Sequence, residues 1–337
     1  MIYLYLQGSF SLEVFGLLIL AQVAALLLDR LLGEPTKFHP LVGFGKVTEH
    51  LEKLFNRGKE SSRAVKGIIS WLILVAPITL ISAVFFHWLA TSSTTAFWVV
   101  STLLLYLTIG LKSLGQHAAW VMEPLRNGEL EEARQKVSWL VSRNTEHMDE
   151  TQISKACIES VLENGNDAVF GALFWFLIAG APGAILYRLT NTLDACWGYR
   201  SERFKHFGWW SARSDDWFNL VPARICAASY SLCGNSRNAA ASWKRAAIWR
   251  QNEGRLIGSP NAGIVMASGA GALNLALGGT AVYSGTVLAK PVLGHGRSPA
   301  SVDIPRSFAL LNRSILIFIS IQAALYLIFV IGQRAIG

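Results

Sequence analysis

Long runs without charge divide this chain into apolar and polar stretches. Ile315–Ile331 reads ILIFISIQAALYLIFVI, and Ile68–Ala90 carries His87 as its one titratable group. A helix that crosses a bilayer needs about 20 apolar residues. A helix at the surface of a soluble core keeps one polar face, and these runs have none. The pattern predicts full spans over Val14–Leu28, Ile68–Ala90, Ala96–Leu111 and Ile315–Ile331. Asp29-Arg30 closes the first span, and the uncharged turn TSSTT at 91–95 makes the second and third a membrane hairpin. Ala168–Leu186 is also apolar, but Gly180-Ala181-Pro182-Gly183 interrupts it. Gly and Pro this close break or bend a helix, which leaves a kinked span or a short hairpin that enters the membrane and returns. The returning hairpin is preferred, because a full crossing would split the polar segments between opposite faces. The fold class expected is all-α: a polytopic membrane protein with about four full spans plus re-entrant or interfacial helices, forming a single integral membrane domain over 1–337.

The polar segments are 30–66, 112–167 and 187–313. The first reads as a loop with eight Lys or Arg against four Asp or Glu. In the second, Leu130, Ala133, Val137, Leu140 and Val141 recur at helical spacing. Asp149 with Gln152 opens a further helix as a capping box, and Gly165 suits its end. Residues 262–287 are Gly- and Ala-rich, weak as a span. Charged residues are only 15% of the chain against 52% hydrophobic, where soluble domains average roughly 25% charged. The net charge of +8 comes from Lys and Arg between spans. That distribution argues against a nucleic-acid partner and places these loops in the cytoplasm, with both termini outside. Cys157, Cys196, Cys226 and Cys233 lack C-x-x-C spacing and read as thiols, not a disulfide frame or zinc site. The N-terminus reads as a retained anchor.

Five polar clusters could carry chemistry. Asp29 to Pro35, with His39-Pro40, packs charges and turns against a span end. Glu159, Glu163 and Asp167 are spaced by four and share a helix face, which is either a solvated acidic surface or a place for a cation or substrate. Arg188, Asn191 and Asp194 are spaced by three in apolar surroundings. Charges there are costly and tend to be functional, although Arg188 and Asp194 could also pair structurally. Arg213, Asp216 and Asn219 share a further face beside Asp215. Adjacent carboxylates suit Mg²⁺, and arginine forks suit phosphate. Trp209 and Trp210 read as interfacial anchors. Ser259-Pro260-Asn261-Ala262-Gly263 forms a turn whose backbone N–H groups could hold an anion, and Leu293-Gly-His-Gly-Arg297 follows. No P-loop, nucleophile elbow or H-E-x-x-H is present.

Taken together, DRLLGEP and HPLVGFG, ESVLENGNDAV, the run APGAILYRLTNTLDACWGYRSERFKHFGWWSARSDDWFNLVPARI, and SPNAG with YSG and LGHGR resemble the CobD/CbiB family, in the family's order over 29–297. The chain departs from the family pattern at Arg143-Asn144-Thr145 and around Gly171. The resemblance implies a ligase of cobalamin biosynthesis that uses ATP and Mg²⁺ to join adenosylcobyric acid to aminopropanol or its phosphate. It implies a bacterial inner-membrane, multi-pass location with the site facing the cytoplasm, beside other membrane enzymes of the corrinoid pathway. On that reading Asp194, Asp215 and Asp216 hold metal, and Glu163 or Asp167 takes the amine's proton. Asn191, Asn219 and Asn261 orient groups. Arg188, Arg200, Arg203, Arg213, Arg224 and Arg297, with Ser259 and Gly263, meet substrate and phosphate. A non-catalytic AmpE-like regulator and a corrinoid transporter are the rival readings. Intact Asp/Asn/Arg clusters disfavour the first, and charge-free spans without an internal repeat disfavour the second.

Overall fold

The structure, a computed structural model, describes residues 12–35, 39–253, 259–283 and 286–336. Four helices come first: α1 (Leu12–Leu32), α2 (Pro40–Phe55), α3 (Glu60–Ser92) and α4 (Thr94–Thr108). Then follow α5 (Leu111–Asn127), α6 (Leu130–Ser138), α7 (Glu150–Gly165), a π-helical turn (Asn166–Phe170) and α8 (Gly171–Trp197). The remainder is α9 (Trp209–Phe218), α10 (Leu220–Cys233), α11 (Ser236–Glu253), α12 (Pro260–Leu273), strands β1 (Ala276–Tyr283) and β2 (Thr286–Gly294), and α13 (Asp303–Ile336).

Five helical stretches are long and apolar enough to cross a membrane: Leu12–Leu32, Glu60–Ser92, Thr94–Asn127, Glu150–Trp197 and Asp303–Arg334. On α3 and α13, Ile81, Val84, Leu316 and Ile328 are all more than 60% exposed. Apolar surface this continuous requires lipid as its solvent, and the protein is a multi-pass membrane protein. The expected turn at 91–95 is present. Ser93 breaks the helix and caps α4, accepting from Ala96 N at 3.3 Å.

The chain divides into two compact units, Met1–Gly110 with Asp167–Asn219 and Ile319–Gly337, and Leu111–Asn166 with Leu220–Phe318. In the first, α8 packs against α3 and α4. Its core joins Phe44, Trp71, Leu74, Val75, Leu189, Leu193, Trp197 and Phe207. Inside the lipid region, Gln22 of α1 and Gln322 of α13 exchange amide hydrogen bonds at 2.8 and 3.3 Å.

The stretch Glu150–Trp197 does not cross as one rod. Ala179 (φ −133, ψ 16) and Gly180 (φ 65, ψ −158) leave helical geometry, and Gly180 takes a conformation open to glycine. The chain doubles back there. Sixteen residues apart, Gly171 and Tyr187 are so close that a Cβ on Gly171 would lie 2.0 Å from the tyrosine ring. A straight helix would separate them by about 24 Å. From Ala168 to the turn the helix rises about 17 Å, roughly half of the ~30 Å hydrocarbon layer. Ala168–Leu186 is thus the returning hairpin, and the kinked-span alternative falls.

In the second unit, the capping box forms as expected, with Asp149 accepting from Gln152 N at 2.8 Å and Gln152 from Asp149 N at 2.9 Å. The helix ends at Gly165, as expected, and passes directly into the π turn. Gly165 is also a point of contact, since a Cβ there would meet Tyr230 Oη at 2.4 Å and Leu311 at 2.8 Å. Three expectations are corrected. Segment 30–66 is not a loop but holds α2 and the start of α3. The 130–141 helix stops at Ser138. The Gly-rich 262–287 stretch is helix α12 followed by a β-hairpin, the one sheet among the described residues. Glu159 of α7 anchors that hairpin by accepting from Gly278 N at 2.7 Å, while Lys155 donates to Gly278 O at 3.0 Å. Ser284 and Gly285, of the YSG string, and residues 1–11, where the anchor would begin, lie outside the described residues. The four cysteines are free thiols, with Cys157 and Cys226 buried.

Candidate active site

The hairpin brings the polar residues of its two arms together. In the π turn the regular i→i+4 ladder is interrupted, a feature frequent at functional sites. There the Asp167 carbonyl accepts from Tyr187 Oη at 3.1 Å and from Arg188 Nη1 at 3.2 Å. Arg188 Nη1 also donates to Asn191 Oδ1 at 3.1 Å. Asn191 Nδ2 then donates to Asp215 Oδ1 at 3.2 Å, and Asn219 Nδ2 to Asp215 Oδ2 at 3.0 Å. Tyr187 Oη closes the ring by sharing its single proton between the Asp167 carbonyl and Asn219 Oδ1, the latter at 2.9 Å. Every link lies within one compact unit.

The sequence folds this way for local reasons. Arg188, Asn191 and Asp194 follow the helical face that their spacing predicts. Asn219 ends α9, with its backbone N–H bonded to Asp215 O at 2.8 Å, which returns its amide to the carboxylate. Arg213 and Asp216, one turn apart on α9, pair at 3.0 Å. Asp194 stands within electrostatic reach of Asp215, Asp216 and Arg213. It is beside Gly198, where a Cβ would collide with its Oδ1 at 1.8 Å. Arg188 is engaged by Asp167 and Asn191, so the structural Arg188–Asp194 pair considered from sequence is replaced by this ring.

Burial pushes the Asp215 carboxyl up to about 7; the charge of Asp167 adds to the rise, and the amides of Asn191 and Asn219 oppose it. Four carboxylates gathered in poorly hydrated surroundings favour a cation. Among the described residues, however, no three His, Cys, Asp or Glu side chains converge as a ready-made metal site. Mg²⁺ is commonly held by one or two carboxylates with water and substrate phosphates, and that is what this site can offer. Asp194 and Asp216 suit direct ligation. Both oxygens of Asp215 already take amide protons, which fits it for orienting neighbours.

Glu34 and His39, from the first polar cluster, join this region, although the sequence assigned neither a role in the site. A Cβ on Gly110 would meet Glu34 Oε1 at 2.6 Å and the Ala168 methyl at 3.7 Å, while Gly110 N bonds Ala168 O at 3.2 Å. His39, the N-cap of α2, lies within electrostatic reach of Glu34 and Arg188, and burial lowers its pKa. Tyr187 was missed too, because an aromatic in an apolar run reads as core. Its signal was position, four residues before Asn191 on the same face.

Other expected site residues take no part in this hydrogen-bonded ring. Arg203 is committed to Glu52, with Nε at 3.0 Å and Nη2 at 2.5 Å, and Arg63 donates to the Arg203 carbonyl. Arg200 is exposed on the following loop. In the second unit, Ser259 caps α12 and accepts from Asn261 N at 3.2 Å, so the expected anion-holding turn is a helix start. Gly263 is buried in its first turns. Arg224 donates to Asn261 Oδ1 at 3.2 Å. Arg297 grips the buried Asp303 through two bonds of 2.7 Å. Glu163 lies partly buried on α7, and Glu159 pairs with Arg143 at 2.8 Å.

A family model described as CobD/Cbib protein matches residues 22–311. A relative from Stutzerimonas stutzeri, named cobalamin biosynthesis protein CobD, is 48% identical across 86% of this chain and 92% of its own length. One of the same name from Chromobacterium violaceum is 46% identical across 89% of this chain and 94% of its own. Another from Halalkalibacterium halodurans is 38% identical across 89% and 94%. No solved structure matches.

Proposed function

The chain belongs to the CobD/Cbib protein family, and from that premise we propose that it is a membrane ligase of cobalamin biosynthesis, joining adenosylcobyric acid to aminopropanol or its phosphate. The near-full-length similarity to relatives named for that pathway carries the reading. The ring around Asp215 supports it, since it supplies oriented carboxylates, amides and a guanidinium such as phosphoryl transfer needs.

A carboxylate and an amine do not condense in water at a useful rate. In the proposed reaction a corrinoid carboxylate oxygen attacks the γ-phosphorus of ATP. The bond to ADP breaks and an acyl phosphate forms. The amine attacks the acyl carbon, phosphate leaves, and the proton shed by the amine passes to Asp167. Mg²⁺, when bound, neutralises charge on the phosphate oxygens, with Asp194 and Asp216 as its protein ligands. Arg188 and Arg213 face the charge that develops on transfer, and fixed donors in a poorly hydrated site stabilise it strongly. The site faces the cytoplasm of a bacterial inner membrane, where ATP is available.

The test uses purified protein, cobyric acid labelled with ¹⁸O in its carboxylates, an aminopropanol phosphate and Mg-ATP. Amide product with label in the released phosphate is the expected result. Label in AMP would mean an adenylate instead, and absence of amide with either amine would end the ligase reading.

A further inference from the structure

We propose that Arg188 and His39 together form a receptor for one oxyanion, a carboxylate or phosphoryl group of a substrate, with His39 donating from Nε2 and Arg188 from its Nε/Nη2 edge. The inference rests on the ligase reading only for the identity of the substrates.

Two observations meet here. The first is the way Arg188 is used. Its Nη1 serves both protein acceptors, the Asp167 carbonyl and Asn191 Oδ1. Its Nε is buried and has no acceptor, and Nη2 has none among the described residues. Nε and Nη2 lie on one edge of the guanidinium and form the fork that matches two oxygens of a carboxylate or phosphate. A buried donor left unsatisfied is rare and asks for an explanation. A ligand oxygen supplies it, once a small rotation of the guanidinium opens that edge.

The second is the tautomer of His39. Its Nδ1 accepts from Leu41 N at 3.2 Å, as the cap of α2. A neutral ring that accepts at Nδ1 carries its proton on Nε2. That nitrogen has no partner among the described residues, so the ring offers a donor and cannot serve as a base from that atom. Burial, which lowers the His39 pKa, keeps the ring neutral. Among the described residues, Glu34 is the carboxylate whose charge reaches His39, and the Arg188 charge offsets it.

The substitutions separate capping from binding. His39→Asn keeps an acceptor for the Leu41 N–H, since Asn is a good N-cap, but is too short to replace Nε2–H. His39→Gln places an amide N–H near the lost donor. Arg188→Lys keeps charge without the fork. Full-length protein in detergent is titrated with inorganic phosphate, aminopropanol, aminopropanol phosphate and cobyric acid, and unfolding temperature is recorded for each variant. We expect His39→Asn to unfold like wild type yet bind one oxyanion ligand roughly tenfold to a hundredfold more weakly. His39→Gln should recover part of the loss. Adding Arg188→Lys should cost less than the two single losses combined, because both residues hold one group. Weakening confined to phosphate and aminopropanol phosphate assigns a phosphoryl group; weakening confined to cobyric acid assigns a carboxylate. Unchanged affinity for all three oxyanions, or a loss matched for neutral-tailed aminopropanol, overturns the proposal. Binding is read without turnover, so a protein that makes no amide sinks the ligase reading and leaves this one measurable.

Discussion

Gly171→Ala adds a single methyl where the hairpin arms touch. That carbon would stand 2.0 Å from Tyr187 Cζ, 2.2 Å from Oη and 2.5 Å from Cε1. The ring is rigid and fully buried, so the arms must part by more than about 1 Å to restore contact. The Tyr187 bonds to Asn219 and the Asp167 carbonyl, at 2.9 and 3.1 Å, then leave hydrogen-bonding range. Overpacking costs about 1–3 kcal/mol, and each lost hydrogen bond adds about 0.5–1.5 kcal/mol. The better helix propensity of Ala returns about 1 kcal/mol, leaving a net loss of roughly 1–5 kcal/mol. Because Asn219 then loses the partner that fixes its amide on Asp215, turnover should fall further than stability alone explains. Gly43→Ala is the control, since an added Cβ there meets nothing within 4 Å; it should be neutral or slightly stabilising. Thermal unfolding of both variants in one detergent, with turnover on the same samples, is the assay. A Gly171→Ala protein that unfolds and turns over like wild type would refute the packed hairpin.

Asp216→Asn should insert and fold normally but lose at least tenfold in turnover at limiting Mg²⁺, with recovery in excess Mg²⁺; full turnover at limiting Mg²⁺ would remove Asp216 from metal binding. A cysteine at Trp209, half-exposed at the start of α9, should react with an impermeant reagent in inverted vesicles and not in intact cells; strong labelling in intact cells would reverse the proposed orientation. The Arg203 hydrogen bond, set against the cost of burial, holds the Glu52 carboxyl below its usual range. Its stabilisation should be complete above the ordinary carboxylate range and fade as pH falls through the lowered value; an equal gap between wild type and Glu52→Gln across that acid limb would contradict this. Gln22→Leu strands Gln322 within the bilayer and should lower the unfolding temperature by the equivalent of about 0.6–1.7 kcal/mol, with Gln22→Leu/Gln322→Leu recovering most of it.

The spans were legible because a bilayer imposes one demand on every side of a helix, and a run such as Ile68–Ala90 displays it without reference to any partner. The capping box at Asp149 and the break at Ser93 were legible for the same reason, since their chemistry is complete within four residues. What stayed hidden depended on distant partners. Gly165 has the composition of a helix stop, and only Tyr230 and Leu311 show that it is a point of contact. The hairpin is anchored at Gly278 by Glu159, 119 residues earlier. Spacing placed Arg188, Asn191 and Asp194 on one face, but not the carbonyl 21 residues back that Arg188 binds. Arg203 looked like a phosphate ligand because Glu52, its partner, lies 151 residues away. His39 reads as a loop residue until the cap on Leu41 and the proximity of Arg188 are seen together.

The depth of the hairpin bears on how such a site can exist in a membrane at all. Irregular backbone within the hydrocarbon layer is tolerated only where protein or water covers it. The turn at Ala179–Gly180 is partly covered: Ala181 is 1% exposed and Gly183 is buried, with α3 and α4 packed against α8, while Ala179 and Gly180 themselves stay partly exposed. The charged groups sit at the other end, where Asp167 and Arg188 mark the start and finish of the apolar excursion. A charge at the bilayer centre costs about 2.5–3.5 kcal/mol on insertion scales, and half-depth insertion keeps Asp167, Arg188, Asn191 and Asp194 out of that region. The two arms of the hairpin begin and end together, which suits a ring that, on the proposed function, opens on one side of the membrane. On that reading the proposed nucleotide and corrinoid reach the ring from the same compartment, whereas a transporter would need the ring to open on both.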